Sequence, residues 1–163
     1  MNIRLGRYPA HFDDMAENQS GASRSVDTEF ESTLDSVDSA ESLVLSVAEN
    51  AGFEEEDLHK VGMAVREAMV NAVVHGNRYN LRKKVHLSVA SEGSDLAVTI
   101  RDEGEGFDPN TLPDPLAEEN LLRQSGRGLL LIQAFVDEFS MRKAEPPMGT
   151  EVKLVVHKTS KES

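Results

Sequence analysis

Cysteine is absent from the 163 residues, which excludes disulfide scaffolds, thiol nucleophiles and Cys-ligated zinc. Cations are scarce: 17 Lys and Arg stand against 29 Asp and Glu, a formal net charge of −12. Such a chain lacks the basic face that non-specific DNA or RNA binding needs, and an anionic membrane surface repels it. No apolar run approaches the roughly 18 residues of a membrane span, and Arg4 and Arg7 have no apolar segment behind them. These absences predict a cytoplasmic protein with no direct nucleic-acid partner and no membrane partner. What is present is globular composition, 39% hydrophobic and 28% charged, at a length that suits one domain with one core.

The tails are polar. Residues 1–27 carry few large apolar side chains and read as a flexible N-terminal tail, and 158–163 as a polar C-terminal tail. Between them, residues 28–157 show clear periodicity. Phe30, Ser32 and Leu34 predict a first strand, and Asp35 or Ser36 caps a helix that Gly52 ends. Acids at 54–57 open a second helix running to about Gly76. Val85, Leu87 and Val89, then Leu96, Val98 and Ile100, make two strands joined at Glu92-Gly93-Ser94-Asp95. A Gly-, Pro- and acid-rich stretch at 102–125 is long enough to be functional. A third helix over about 128–138 and strands beginning at Phe139 and ending at Val156 complete the order β-α-α-β-β-loop-α-β-β. That order predicts an α+β fold: a two-layer α/β sandwich, its sheet mostly antiparallel, with the helices on one face.

Four places carry chemistry. On the second helix, apolar nearly all round and so buried, Glu67 and Asn71 share one stripe with His75 a turn further on. A carboxylate and a carboxamide there are costly unless paired, though a surface Glu beside a satisfied Asn is an equal reading. The pair suits Mg²⁺ held by a neutral oxygen and a proton accepted from a nucleophile. His75 is expected to make a structural cap contact near Gly76. Next, Asp102 has the inward parity of Leu96, Val98 and Ile100, and Gly104 and Gly106 behind it allow close backbone approach to a flat ligand. Its partner could be a base's exocyclic amine or a backbone amide. Gly126-Arg127-Gly128 leads into a helix, an arrangement that offers free N–H groups to an anion. Last, Gly149-Thr150 places a hydroxyl on the inward face of the final strand, where a satisfied strand residue is the commoner case. The remaining histidines, among them His86 and His157, are scattered without metal-ligand spacing.

Taken in order, Glu67-x-x-x-Asn71, Asp102-x-Gly104-x-Gly106, Gly126-x-Gly128 and Gly149-Thr150 resemble the N, G1, G2 and G3 boxes of the GHKL (Bergerat-fold) ATPase/kinase superfamily. Arg66-Glu67-Ala68-Met69-Val70-Asn71 through Asn77 resembles the anti-sigma-factor serine/threonine kinases of the RsbW and SpoIIAB kind. The resemblance covers about 28–157. It implies ATP and Mg²⁺ as cofactors, with Glu67 as general base and Asn71 holding the metal. Asp102 would bind the adenine amine, helped by Thr150 through a water. Gly104 and Gly106 would line the base pocket, and Gly126 and Gly128 would bind phosphate. Residues 108–125 would form the ATP lid, and Arg123 or Arg127 would meet the γ-phosphate, in a family that usually has a basic residue where Gln124 stands. The implied function is an ATP-dependent kinase and anti-sigma factor that phosphorylates a small anti-anti-sigma (STAS-domain) protein and binds a sigma factor, with a homodimer possible. The alternative is a nucleotide-binding switch without useful kinase turnover.

Overall fold

The computed structural model describes residues 23–105 and 124–159, with 124–127 described by backbone alone. Strand β1 (Arg24–Glu31) leads through a tight turn to helix α1 (Leu34–Asn50), followed by α2 (Glu55–Val70) and a π-helical turn (Asn71–Gly76). Strands β2 (Lys84–Glu92) and β3 (Asp95–Arg101), helix α3 (Gln124–Phe135), and strands β4 (Glu138–Ala144) and β5 (Gly149–His157) follow. The expected element order and two layers are present.

One five-stranded sheet runs β1-β2-β3-β5-β4, and every pairing is antiparallel. Alternation fixes its faces. Val85, Leu87 and Val89 are buried with Leu96, Val98 and Ile100 beneath the helices, while Ser88, Lys153 and their neighbours face outward. The β2–β3 hairpin turns at Gly93, within the expected turn, and its φ of +59° is a left-handed geometry that glycine adopts without steric cost. Helix α1 buries Val37, Val44 and Val47 on one stripe, and α2 packs between α1 and α3.

Several boundaries differ from expectation. The sheet begins at Arg24, inside the expected tail, and Arg24 and Thr28 take inward positions that normally signal apolar residues. Leu34 is not in the strand: it is the first helical residue and 52% exposed. The cap is Thr33, whose Oγ1 accepts from Ser36 N at 3.3 Å, rather than Asp35 or Ser36. Helix α3 starts at Gln124, which places Gly126, Arg127 and Gly128 within its opening turns. Beyond the expected boundary at 157, Thr159 binds the buried Asp57 through both backbone N and hydroxyl, at 2.8 and 2.6 Å, and Lys158 Nζ donates to Ala51 O at 2.6 Å.

Candidate functional site

Helix α2 carries its α-helical hydrogen bonding up to Val70, then widens at Asn71 into a π-helical turn. Asn77 N reaches back five residues to Ala72 O at 2.8 Å. Such a turn interrupts a helix at real cost and is found mostly where a site needs it. Here it ends the chain's run along the helix and drops Gly76 and Asn77 beside the end of β3. Arg78 and Tyr79, both with left-handed backbone (φ 51° and 59°), then reverse the chain. Neither is glycine, so the sequence carries no turn signal for them.

Asp102 follows the last residue of β3 and is 6% exposed. Its Oδ1 accepts from Gly104 N at 2.9 Å and Thr150 N at 3.0 Å, while Asp102 N donates to Thr150 O at 3.0 Å. Among the described residues nothing donates to Oδ2. The carboxylate sits where three glycines let backbone close in: a Cβ on Gly76 would overlap its oxygen, one on Gly149 its carbonyl, and one on Gly104 the Gly76 carbonyl. Burial pushes the Asp102 carboxyl above the usual range, partly offset by the Gly104 and Thr150 amides. A buried carboxylate with one oxygen uncommitted is a site waiting for a donor.

That carboxylate opens onto a cavity of about 260 Å³. Ala68, Ala72, Ile100, Leu129, Met141 and Val152 give it an apolar lining, and Asn71, Asp102 and Thr150 bring polar groups to it. His75, Arg78 and Glu105 complete its lining, and a mostly apolar cavity with a buried acceptor fits a flat heteroaromatic ring carrying an exocyclic amine. Glu67 lies just beyond, half-buried against α3, so close that a Cβ on Gly128 would stand 3.0 Å from its Oε2 and 3.5 Å from Asn71 Nδ2. The start of α3 thus packs on the Glu67/Asn71 stripe.

Of the expected site residues, Asn71, Asp102 and Thr150 line one cavity, Gly104 packs against the Gly76 carbonyl, and Glu67 and Gly128 meet each other. Gly126 lies in the first turn of α3. Gly106, Arg123, the Arg127 side chain and the lid segment up to 123 fall outside the described residues. His75 also lines the cavity, and among the described residues its side chain has no hydrogen-bond partner, so the expected cap contact near Gly76 is not made there. Two residues of the matching stretch were given no role in the site: Gly76, which marks the expected helix end, and Asn77, which follows it.

His86, on the β2–β3 hairpin, has a partner there: its Nε2 lies 2.5 Å from Glu103 Oε2, next door to Asp102.

The sequence model of the histidine kinase-like ATPase domain matches residues 30–156. Over 104 residues the chain is 36% identical to the anti-sigma F factor of Bacillus subtilis (strain 168), spanning 63% of this chain and 70% of that protein. The anti-sigma F factor of Anoxybacillus flavithermus is 32% identical over 106 residues, spanning 64% and 72%. The crystal structure of the RsbU and RsbW domains of a Mycobacterium tuberculosis protein shares the fold, with a TM-score of 0.61 at 16% identity, over 85% of this chain and 33% of that one. With its motifs gathered at one cavity in this fold, the chain belongs to the histidine kinase-like ATPase (GHKL) family, among the relatives of the anti-sigma F factors.

Proposed function

We propose that the protein is an ATP-dependent serine/threonine kinase and anti-sigma factor, which phosphorylates a STAS-domain anti-anti-sigma partner and sequesters a sigma factor when that partner is phosphorylated. The observation that carries the nucleotide part is Asp102, a buried carboxylate that lines a mostly apolar cavity and keeps one oxygen without a donor among the described residues. Adenine supplies both the flat apolar ring and the amine that such a cavity lacks. The partner part is supported by the kinship with anti-sigma F factors.

Among the described residues no group of three His, Asp or Glu side chains could hold a metal ion. Asn71 and Glu67 are thus too few donors for a free divalent cation, but they suit an Mg²⁺ that arrives on a polyphosphate. Bound there through the Asn71 carboxamide oxygen, the ion would spread phosphate charge. The Glu67 carboxylate, one helical turn earlier, would accept the proton of the attacking hydroxyl. Apolar walls would exclude water from the base pocket, and the α3 N-terminus beside Glu67 and Asn71 would present amides to phosphate.

The test is an ATP titration with and without Mg²⁺, followed by phosphotransfer to purified STAS-domain proteins. The expected result is Mg²⁺-dependent ATP affinity and phosphate on a partner serine or threonine, with the Mg²⁺ dependence lost in Asn71→Ala. ATP binding without transfer to any partner it binds would replace the kinase with a nucleotide-gated switch. No ATP binding at all would remove both.

A further inference from the structure

Asn77 is 2% exposed, and its side chain makes three hydrogen bonds to three other parts of the chain. Its Nδ2 donates to Ser32 Oγ at 2.9 Å, in the turn before α1, and to Lys84 O at 3.0 Å, where β2 begins. Its Oδ1 accepts from Glu103 N at 2.8 Å. The orientation is fixed by chemistry: flipping the amide would set its NH₂ against the Glu103 N–H and its oxygen against the Lys84 carbonyl. Ser32 Oγ passes its own proton on to Lys83 O at 2.6 Å, so the network is complete.

Glu103 stands between Asp102 and Gly104, past the end of β3, where no strand neighbour receives its N–H. Asn77 supplies that acceptor. Asp102 Oδ1 meanwhile holds the Gly104 N–H, and Gly104 packs on the Gly76 carbonyl. The turn that aims the carboxylate is therefore pinned on one side by β5, through Thr150, and on the other by the Asn77 oxygen.

We propose that Asn77 is the positioning residue of the base pocket: its Oδ1, by holding Glu103 N, fixes the Asp102–Gly104 turn so that Asp102 Oδ2 meets an exocyclic amine. The proposal rests on the nucleotide reading above and adds a residue that does not itself reach the cavity. A residue that only supported the fold would lower stability and leave base selectivity intact in the folded protein. A positioning residue alters selectivity, and the alteration follows the oxygen rather than the donors.

Three variants separate the two roles. Selectivity is read as the ratio of affinities for ATP and inosine triphosphate, which carries an oxygen in place of the 6-amino group, at a temperature where each variant is folded by circular dichroism. Asn77→Ala should lower that ratio about 10-fold, the lower end of what a hydrogen bond to a charged group contributes. Asn77→Asp keeps the acceptor and loses both donors, so it should retain the wild-type ratio to within about 2-fold even where it melts lower. Ser32→Ala breaks only the far side of the network and should leave the ratio unchanged. An unchanged ratio in Asn77→Ala, or an equal loss in Asn77→Asp, overturns the proposal.

Amide exchange in the wild-type protein gives a readout free of both folding and nucleotide. Glu103 N–H should exchange at least about 100-fold more slowly than an unprotected loop amide, and exchange at the unprotected rate overturns the tether outright. Wild-type protein with a protected Glu103 amide but no preference for ATP refutes the nucleotide reading, and with it the selectivity role, while leaving the tether in place.

Discussion

Asp102 sits where the needs of stability and of binding diverge. Burial raises its carboxyl pKa in the fold, against the lowering effect of the Gly104 and Thr150 amides. A raised folded pKa means stability that is full below the unfolded value and lost as pH climbs through the folded one, so at neutral pH the ionised group costs stability. Asparagine keeps an oxygen for both amides and carries no charge. Asp102→Asn should therefore melt no lower than wild type at pH 7, yet bind ATP about 10- to 150-fold more weakly, the range for a hydrogen bond to a charged group. Calorimetry and nucleotide titration check the two halves; a lower melting point with normal ATP affinity would make the carboxylate structural. Glu67 poses the complementary case. In the proposed role of general base it would touch the reaction and not the ring, so Glu67→Ala should keep ATP affinity while phosphotransfer falls by about 10²–10⁴. Single-turnover transfer to a bound STAS-domain partner measures it, and transfer at the wild-type rate would reassign Glu67 to packing against Gly128.

Elements were legible in proportion to how regular they are. Hydrophobic period placed α1, α2, β2 and β3, because Val37, Val44 and Val65, or Leu87 and Ile100, must all face one core. Period failed where inward positions hold polar residues, which is why Arg24 and Thr28 hid the start of β1. It also failed at the π-helical turn: a change from fourth- to fifth-neighbour bonding alters direction without altering composition. The site boxes were readable as a set because each joins a particular residue type to an element end. The packing among their glycines was not readable, since it depends on residues 26 to 61 positions apart. Gly76 tests that packing. A Cβ there would overlap the Asp102 carboxylate, which two amides hold in place. Gly76→Ala should cost about 1–3 kcal/mol, the range for overpacking, and remove measurable ATP binding; urea denaturation with parallel titration reads both. Full ATP affinity in that variant would mean the carboxylate has room to move, contrary to its two hydrogen bonds.

At the scale of the whole molecule, an acidic chain must hold its sheet ends together against its own repulsion. His157, at the end of β5, shows how one end is managed. Its Nδ1 lies 2.7 Å from Asp95 Oδ1 across the β3–β5 ladder, its Nε2 3.4 Å from Glu138 Oε2 on β4, and its backbone N donates to Asp137 Oδ2 at 2.7 Å. The hydrogen bond to Asp95, then the charges of Asp95, Asp137 and Glu138, raise the imidazole pKa despite some desolvation. A pKa raised in the fold stabilises fully below the unfolded value of about 6.5 and ceases to stabilise as pH rises through the folded value. The cluster is on the surface, so salt weakens it. The melting-temperature gap between wild type and His157→Gln should accordingly be largest near about pH 6, close as pH approaches about 9, and narrow in about 1 M salt. A gap that stays constant across that range would show that shape at the β3–β5 ladder, and not the imidazolium, ties the three strands.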